Sequence, residues 1–135
     1  MDIKSKEEIR EEVEIETKRL VNSFKYAGTG ILTAFKEERN MKIHFLTMLI
    51  VVILGFVFKI NKLDWIFVIL FLGTILSVEL LNTAIEACVD LVTKEYNPLA
   101  KKAKDAGSAA AFSISVLAGI GLLMVYLPHI LEFIK

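Results

Sequence analysis

A chain of 135 residues is enough for one domain, and this one is 55% hydrophobic while 24% of it is charged. Zero formal net charge argues against a nucleic-acid partner, and the one cysteine, Cys88, excludes an internal disulfide and any multi-cysteine zinc site. The charges are segregated: residues 2–19 are dense with them, whereas 45–58 and 108–127 have none. That distribution predicts an all-α integral membrane protein with a polar arm, not a water-soluble core.

No cleavable signal peptide is expected, because the N-terminal stretch mixes acids and bases and has no apolar run before a small-residue cleavage site. A first spanning helix would direct insertion instead. Glutamates alternate with lysines and arginines up to Leu20, leaving a thin apolar seam of Ile9, Val13 and Leu20. Residues 2–20 therefore read as a solvated or surface-lying helix, or else a plain charged tail; 1–18 form a charged N-terminal arm, and 19–135 the membrane domain. Over 20–36, Val21, Phe24, Ile31 and Phe35 share a face, which predicts an amphipathic helix lying at the membrane interface. The Gly28-Thr29-Gly30 step is expected to loosen or bend it.

A polar knot, KEERNMKIH (36–44), precedes the first apolar run. Spanning helices are predicted at about 41–59, 63–92 and 101–128, by length and apolar content. KINKLD is a tight turn between the first two, with Trp65 at belt height. Pro98 after Asn97 marks a turn or a helix start before the third. Gly107, Ser108, Ala109, Ala110 and Ala111 give the third helix a small-residue face suited to close packing. Cys88 falls away from the polar side of its helix and reads as packing; His44 and His129 read as interfacial.

Orientation follows from the basic residues. Segment 1–42 has nine Lys/Arg and loop 92–104 has four, against two in the 59–64 turn and one at the C-terminus. The N-terminus and the 92–104 loop are thus expected on the cytoplasmic side.

The second span carries Glu79, Asn82, Glu86 and Asp90 at i, i+3, i+7 and i+11, one polar stripe along a helix. Acids aligned inside an apolar helix are costly and normally face a bundle interior or a water-filled cavity. Asp90 falls at the cytoplasmic mouth, Glu86 one turn inside, and Glu79 deeper. Glu38, just before the first span, comes to about the level of Glu86. Two carboxylates there, with Asn82 nearby, suit a hard divalent cation such as Mg²⁺, which takes oxygen ligands and leaves room for phosphate oxygens. Lys104, beside Asp105, lies across the mouth where it would neutralise phosphates. Glu79 sits where a carboxylate is placed to take a proton as general base. Tyr96 is positioned either to stack on a base or simply to pack. The layout points to phosphoryl transfer from a water-soluble donor to a lipid hydroxyl.

E-L-L-N-T-A-I-E-A-x-V-D (79–90), E-Y (95–96) and A-K-D-A-G-S-A-A (103–110) closely resemble the small prokaryotic diacylglycerol kinases and the related undecaprenol kinases. The resemblance runs from Arg19 through the third span and leaves out the arm. It implies an interfacial helix plus three membrane helices, a homotrimer with active sites between subunits, ATP as donor with Mg²⁺, and a bacterial cytoplasmic membrane. By matching position it implies Glu79 as general base and Glu38 and Glu86 as metal-holding and ATP-contacting. Asn82 and Asp90 would support the nucleotide site. Lys104, Asp105, Glu95, Tyr96 and Asn97 would contact ATP, joined by Arg19 and Tyr26 of the interfacial helix. Ser108 with Ser23, Phe24, Lys25, Ala27 and Gly28 would line the lipid pocket. Asn97 and Lys42 depart from residues found in some relatives. AFKEERNMKIH resembles the undecaprenol branch through its E-x-N-x-x-I-H pattern, AKDAGSAA the diacylglycerol branch, and the balance favours undecaprenol.

A reading from another class treats the stripe as a proton relay in a small membrane assembly or transport subunit. It accounts for the acids but not for Lys104 and Asp105 at the mouth or Glu38 opposite Glu86.

Overall fold

The computed structural model describes residues 5–135 as four helices: α1 (Lys6–Glu37), α2 (Arg39–Val57), α3 (Lys62–Val92) and α4 (Pro98–Phe133). The last three are long and apolar enough to cross a membrane. Their start points fall within three residues of the predicted spans. α4 continues beyond its expected end, carrying Pro128 inside the helix to Phe133.

α1 carries the helix expected in the arm on into the segment expected to be the interfacial helix. It is one helix through both segments, although the first four residues of the arm lie outside the described residues. Ser5 starts it with a capping box: its hydroxyl accepts from the Glu8 N–H at 3.2 Å, and the Glu8 carboxylate accepts from the Ser5 N–H at 2.7 Å. Lys18 with Glu14 and Arg19 with Glu16 add same-face ion pairs. Two glycines cost a helix about 1 kcal/mol each relative to alanine, too little to break a helix continued on both sides. Thr29, between them, donates its hydroxyl back to the Lys25 carbonyl at 2.9 Å.

Glu38 breaks the chain between α1 and α2. Its backbone is extended (φ −93°, ψ 126°) and its N–H closes α1 on the Ala34 carbonyl. It also occupies the N-cap of α2 without a capping hydrogen bond from its side chain. Ala34 and Met41 bury the corner, and Phe35 meets Phe45 edge-on with ring centroids 5.1 Å apart.

α2 ends in a Schellman turn. The Ile60 N–H bonds the Gly55 carbonyl and the Lys59 N–H the Phe56 carbonyl, at 3.1 and 3.3 Å. Lys59 holds the left-handed position (φ 50°) that such turns usually give to glycine. Asn61 then caps α3, accepting from the N–H groups of Leu63 and Asp64. Asn97 caps α4 in the same manner with Pro98 in the first turn, a placement the sequence signals directly.

α3 and α4 make the most extensive helix pair, and α2 packs on α3. The apolar core gathers Ile60, Val68, Leu72 and Tyr126, flanked by Val51, Leu54, Trp65 and Val125. The Tyr126 hydroxyl donates to the Val51 carbonyl at 2.7 Å, which ties α4 to α2. At the same end, His129 Nε2 lies 2.8 Å from the Asp64 carboxylate. The buried side of α3 reads Val68, Leu72, Ile75, Glu79, Asn82. The polar stripe is therefore the continuation of the packing stripe, turning from apolar to acidic halfway along. Large apolar side chains elsewhere on the spans, such as Leu46, Leu49, Phe56, Ile69 and Leu117, are exposed, as a lipid-facing surface requires.

Candidate active site

Where the α3 stripe turns polar, α2, α3 and α4 line a half-open cavity of about 260 Å³. Asn40 and His44 of α2 line it, with Glu79, Asn82 and Glu86 of α3 and Ser108, Ala111, Phe112 and Ser115 of α4. Exposure rises along the stripe. Glu79 (3%) and Asn82 (8%) are buried, Glu86 is half-buried and Asp90 is exposed. Glu79 and Glu86 point into the cavity, as the cost of ionisable groups against lipid demands.

Asn82 is held from two sides. Its Nδ2 donates to Glu86 Oε1 at 3.0 Å, an i, i+4 pair that spaces the two side chains. Its Oδ1 is buried without a hydrogen-bond partner and faces Gly107 of α4. A Cβ added to Gly107 would stand 2.5 Å from that oxygen, so the glycine is what lets α4 close over Asn82. The small-residue face of α4 thus has a specific use at this position.

His44 was expected at the interface. Its side chain lies in the cavity wall, 20% exposed, with Nε2 3.8 Å from Glu79 Oε2. Sequence reasoning assigned no function to His44 or Asn40. Their i, i+4 spacing on α2 was the available signal, together with their place in the E-x-N-x-x-I-H pattern.

A second, smaller cavity of about 130 Å³ forms a mouth between the end of α3, the connecting loop and the start of α4. Asp90, Glu95, Tyr96, Asn97 and Lys104 line it, along with Lys94 and Lys101. Lys104 Nζ reaches across to Asp90 Oδ1 at 2.5 Å, joining α4 to the end of the stripe. Asn97 spends its side-chain oxygen on capping α4, which leaves its amide N–H groups for any ligand. Tyr96 is 82% exposed, its ring open to a stacking partner.

Other predicted residues stand apart from both cavities within this chain. Asp105 pairs with Lys101 on the exposed side of α4. Arg19 pairs with Glu16 at 2.7 Å, and Ser23 donates to the Arg19 carbonyl. Phe24 and Tyr26 are at least 70% exposed, and Ser23, Lys25, Ala27 and Gly28 lie on the same exposed stretch of α1. Glu38 is half-buried at the α1–α2 corner and does not line the cavity that holds Glu86.

Apart from the His44 imidazole, the donor set of the main cavity is hard oxygen and amide, with carboxylates on Glu79 and Glu86 and an unpartnered Asn82 oxygen. That chemistry fits a small divalent cation. Among the described residues no three His, Cys, Asp or Glu side chains form a ready-made cage. Such an ion would therefore complete its shell with phosphate oxygens.

The model of the prokaryotic diacylglycerol kinase family matches residues 25–126. The undecaprenol kinase of Bacillus subtilis is 40% identical over 115 residues, covering 85% of this chain and 94% of that protein. The diacylglycerol kinase of Pseudomonas aeruginosa is 39% identical over 95 residues, 70% of this chain and 77% of that protein. That of Haemophilus influenzae is 35% identical over 101 residues, 75% and 86% of the two chains. The proton-relay reading gives way to this match. A match over most of the chain, with Glu79, Asn82 and Glu86 of the stripe turned into one cavity, means that the protein belongs to the prokaryotic diacylglycerol kinase family of lipid kinases.

Proposed function

We propose that the protein transfers the γ-phosphoryl group of ATP to the hydroxyl of a lipid alcohol at the cytoplasmic membrane face. Undecaprenol is the favoured acceptor and undecaprenyl phosphate the product. The observation that carries this is the buried Glu79 in a cavity continuous along one stripe with Glu86 and Asp90, so that a lipid-depth base adjoins a solvent-reached mouth.

Glu79 takes the proton of the acceptor hydroxyl as general base. Lys104, released from Asp90, neutralises phosphate charge, with Lys94 and Lys101 beside it. Tyr96 stacks on the nucleotide base, and Glu95, Asn97 and Asp105 add polar contacts to ATP. Glu86 and Glu38 would hold Mg²⁺ with the nucleotide, and Asn82 keeps the Glu86 carboxylate in place. When bound, the ion supplies charge neutralisation on the phosphates.

The site is completed in a homotrimer. Asn40, Ser108 and Phe112 leave one flank of the cavity exposed in a single chain. A neighbouring subunit covers that flank and brings in Glu38, Arg19 and Tyr26. The 23–28 stretch of α1, with Ser108, lines the path of the lipid tail. α1 from Arg19 onward lies in the interface, and residues 1–18 are a cytoplasmic arm outside the catalytic domain.

The undecaprenol reading is supported by Asn40 and His44, which belong to the stretch resembling that branch and reach the cavity wall. The diacylglycerol reading, with phosphatidic acid as product, is supported by the relatives bearing that name. Radiolabelled ATP supplied with both lipids in competition separates them. Label passing chiefly to undecaprenol is expected, and label on diacylglycerol alone overturns the assignment.

A further inference from the structure

We infer that His44 is the second hydrogen-bonding partner of the acceptor hydroxyl, meeting its oxygen at roughly a right angle to Glu79. The inference rests on the lipid-kinase reading of this cavity.

His44 Nε2 and Glu79 Oε2 stand 3.8 Å apart, too far for a hydrogen bond between them and too close to leave two waters in the gap. An oxygen atom placed about 2.8 Å from each fits that separation. Both side chains are largely buried, at 20% and 5% exposure, and both face the same cavity. Their backbones are fixed independently. Met41, one turn before His44, is fully buried at the α1–α2 corner, and Glu79 continues the buried stripe of Val68, Leu72 and Ile75. The gap is therefore a feature of how α2 and α3 pack.

A lipid hydroxyl in the cavity beside this pair donates its hydrogen to Glu79 Oε2 and accepts one from His44 Nε2–H. One lone pair remains for attack. The step balances as follows. The hydroxyl oxygen forms a bond to the γ-phosphorus, and the bond from that phosphorus to the β–γ bridging oxygen breaks. ADP leaves with the electron pair, and the hydroxyl proton passes to the Glu79 carboxylate. His44 keeps its own proton throughout. Two directional contacts fix where the oxygen sits, which is how positioning supplies much of the rate in phosphoryl transfer. A carboxylate alone leaves the alcohol free to swing about a single hydrogen bond.

The test uses the full-length protein in detergent–lipid micelles with undecaprenol, wild type against His44→Gln, His44→Asn and His44→Ala. The glutamine amide nitrogen reaches the position of Nε2, whereas that of asparagine reaches only Nδ1. Expected are a fall of about tenfold or more in kcat/KM for undecaprenol with alanine and asparagine, the loss of one positioned hydrogen bond, and substantial recovery with glutamine. The KM for ATP should stay within about twofold in all three. Glutamine no better than asparagine, or acceptor and ATP constants shifting together, overturns the role of His44. A wild-type protein that labels no lipid alcohol overturns the kinase reading and this inference with it. An active wild type with unaltered variants overturns the inference alone.

Discussion

Gly107 of α4 sits so close over Asn82 of α3 that a single added carbon would lie 2.5 Å from the asparagine oxygen. The Asn82 amide cannot retreat without giving up its 3.0 Å bond to Glu86, so the glycine, the asparagine and the proposed metal-holding carboxylate are mechanically linked. Gly107→Ala should therefore lower phosphoryl transfer by tenfold or more, although alanine favours the helix by about 1 kcal/mol over glycine. Initial rates and thermal unfolding in detergent, measured together, check this. Wild-type activity would mean that Asn82 need not hold its position.

Glu79→Gln preserves the size of the side chain and its burial but removes the proton acceptor. Transfer to the lipid should fall by a factor of roughly 10² to 10⁴, the usual share of a general base. The variant should elute from size exclusion as the wild type does. A variant retaining a tenth or more of the wild-type rate would move the base to another group.

At the mouth, Lys104 and Asp90 form an ion pair between half-buried and exposed side chains, the setting in which such pairs add little to stability. Lys104→Met is therefore expected to leave thermal stability nearly unchanged while raising the KM for ATP by about tenfold or more. Asp90→Asn frees the same lysine and should cost less than the loss of Lys104. If Lys104→Met unfolds the protein without altering nucleotide affinity in the folded fraction, the pair is a strut between α3 and α4.

Much of this arrangement is legible in the residues alone, for definable reasons. Long charge-free runs, 45–58, 65–78 and 108–127, reveal the three spans, and Asn97-Pro98 announces the start of α4. The 3.6-residue period reveals that Glu79, Asn82, Glu86 and Asp90 share one azimuth. What a single period does not contain is the rotation of one helix against its neighbour. His44 near the end of an apolar run has the same local signature whether it faces headgroups or a cavity. The choice is made by Met41, whose burial at the α1–α2 corner turns α2 about its axis. The facing of Gly107 on Asn82 is likewise a matter of register between α3 and α4. α1 shows how a local signal can be outweighed by its surroundings. Gly28 and Gly30 carry a strong local breaking signal, yet neither meets any neighbour within 4 Å, and the helix passes through.

The turn between α2 and α3 offers a prediction about stability alone. Lys59 adopts φ 50° as the left-handed residue of the Schellman turn, a conformation in which its Cβ crowds the following carbonyl. Both closing hydrogen bonds, from Ile60 to Gly55 and from Lys59 to Phe56, come from the backbone and survive any side chain. Ile60 is 6% exposed and belongs to the core with Val68, Leu72 and Tyr126, so the turn is anchored beyond its own hydrogen bonds. Lys59→Gly relieves the crowding, though glycine also gains freedom in the unfolded chain, which offsets part of the benefit. A net stabilisation of about 1 kcal/mol is expected, read as a higher unfolding midpoint in detergent. Kinase activity should not change, because the turn lies at the opposite end of α3 from the mouth cavity. A lower midpoint would show that the lysine side chain makes a contribution larger than its backbone strain.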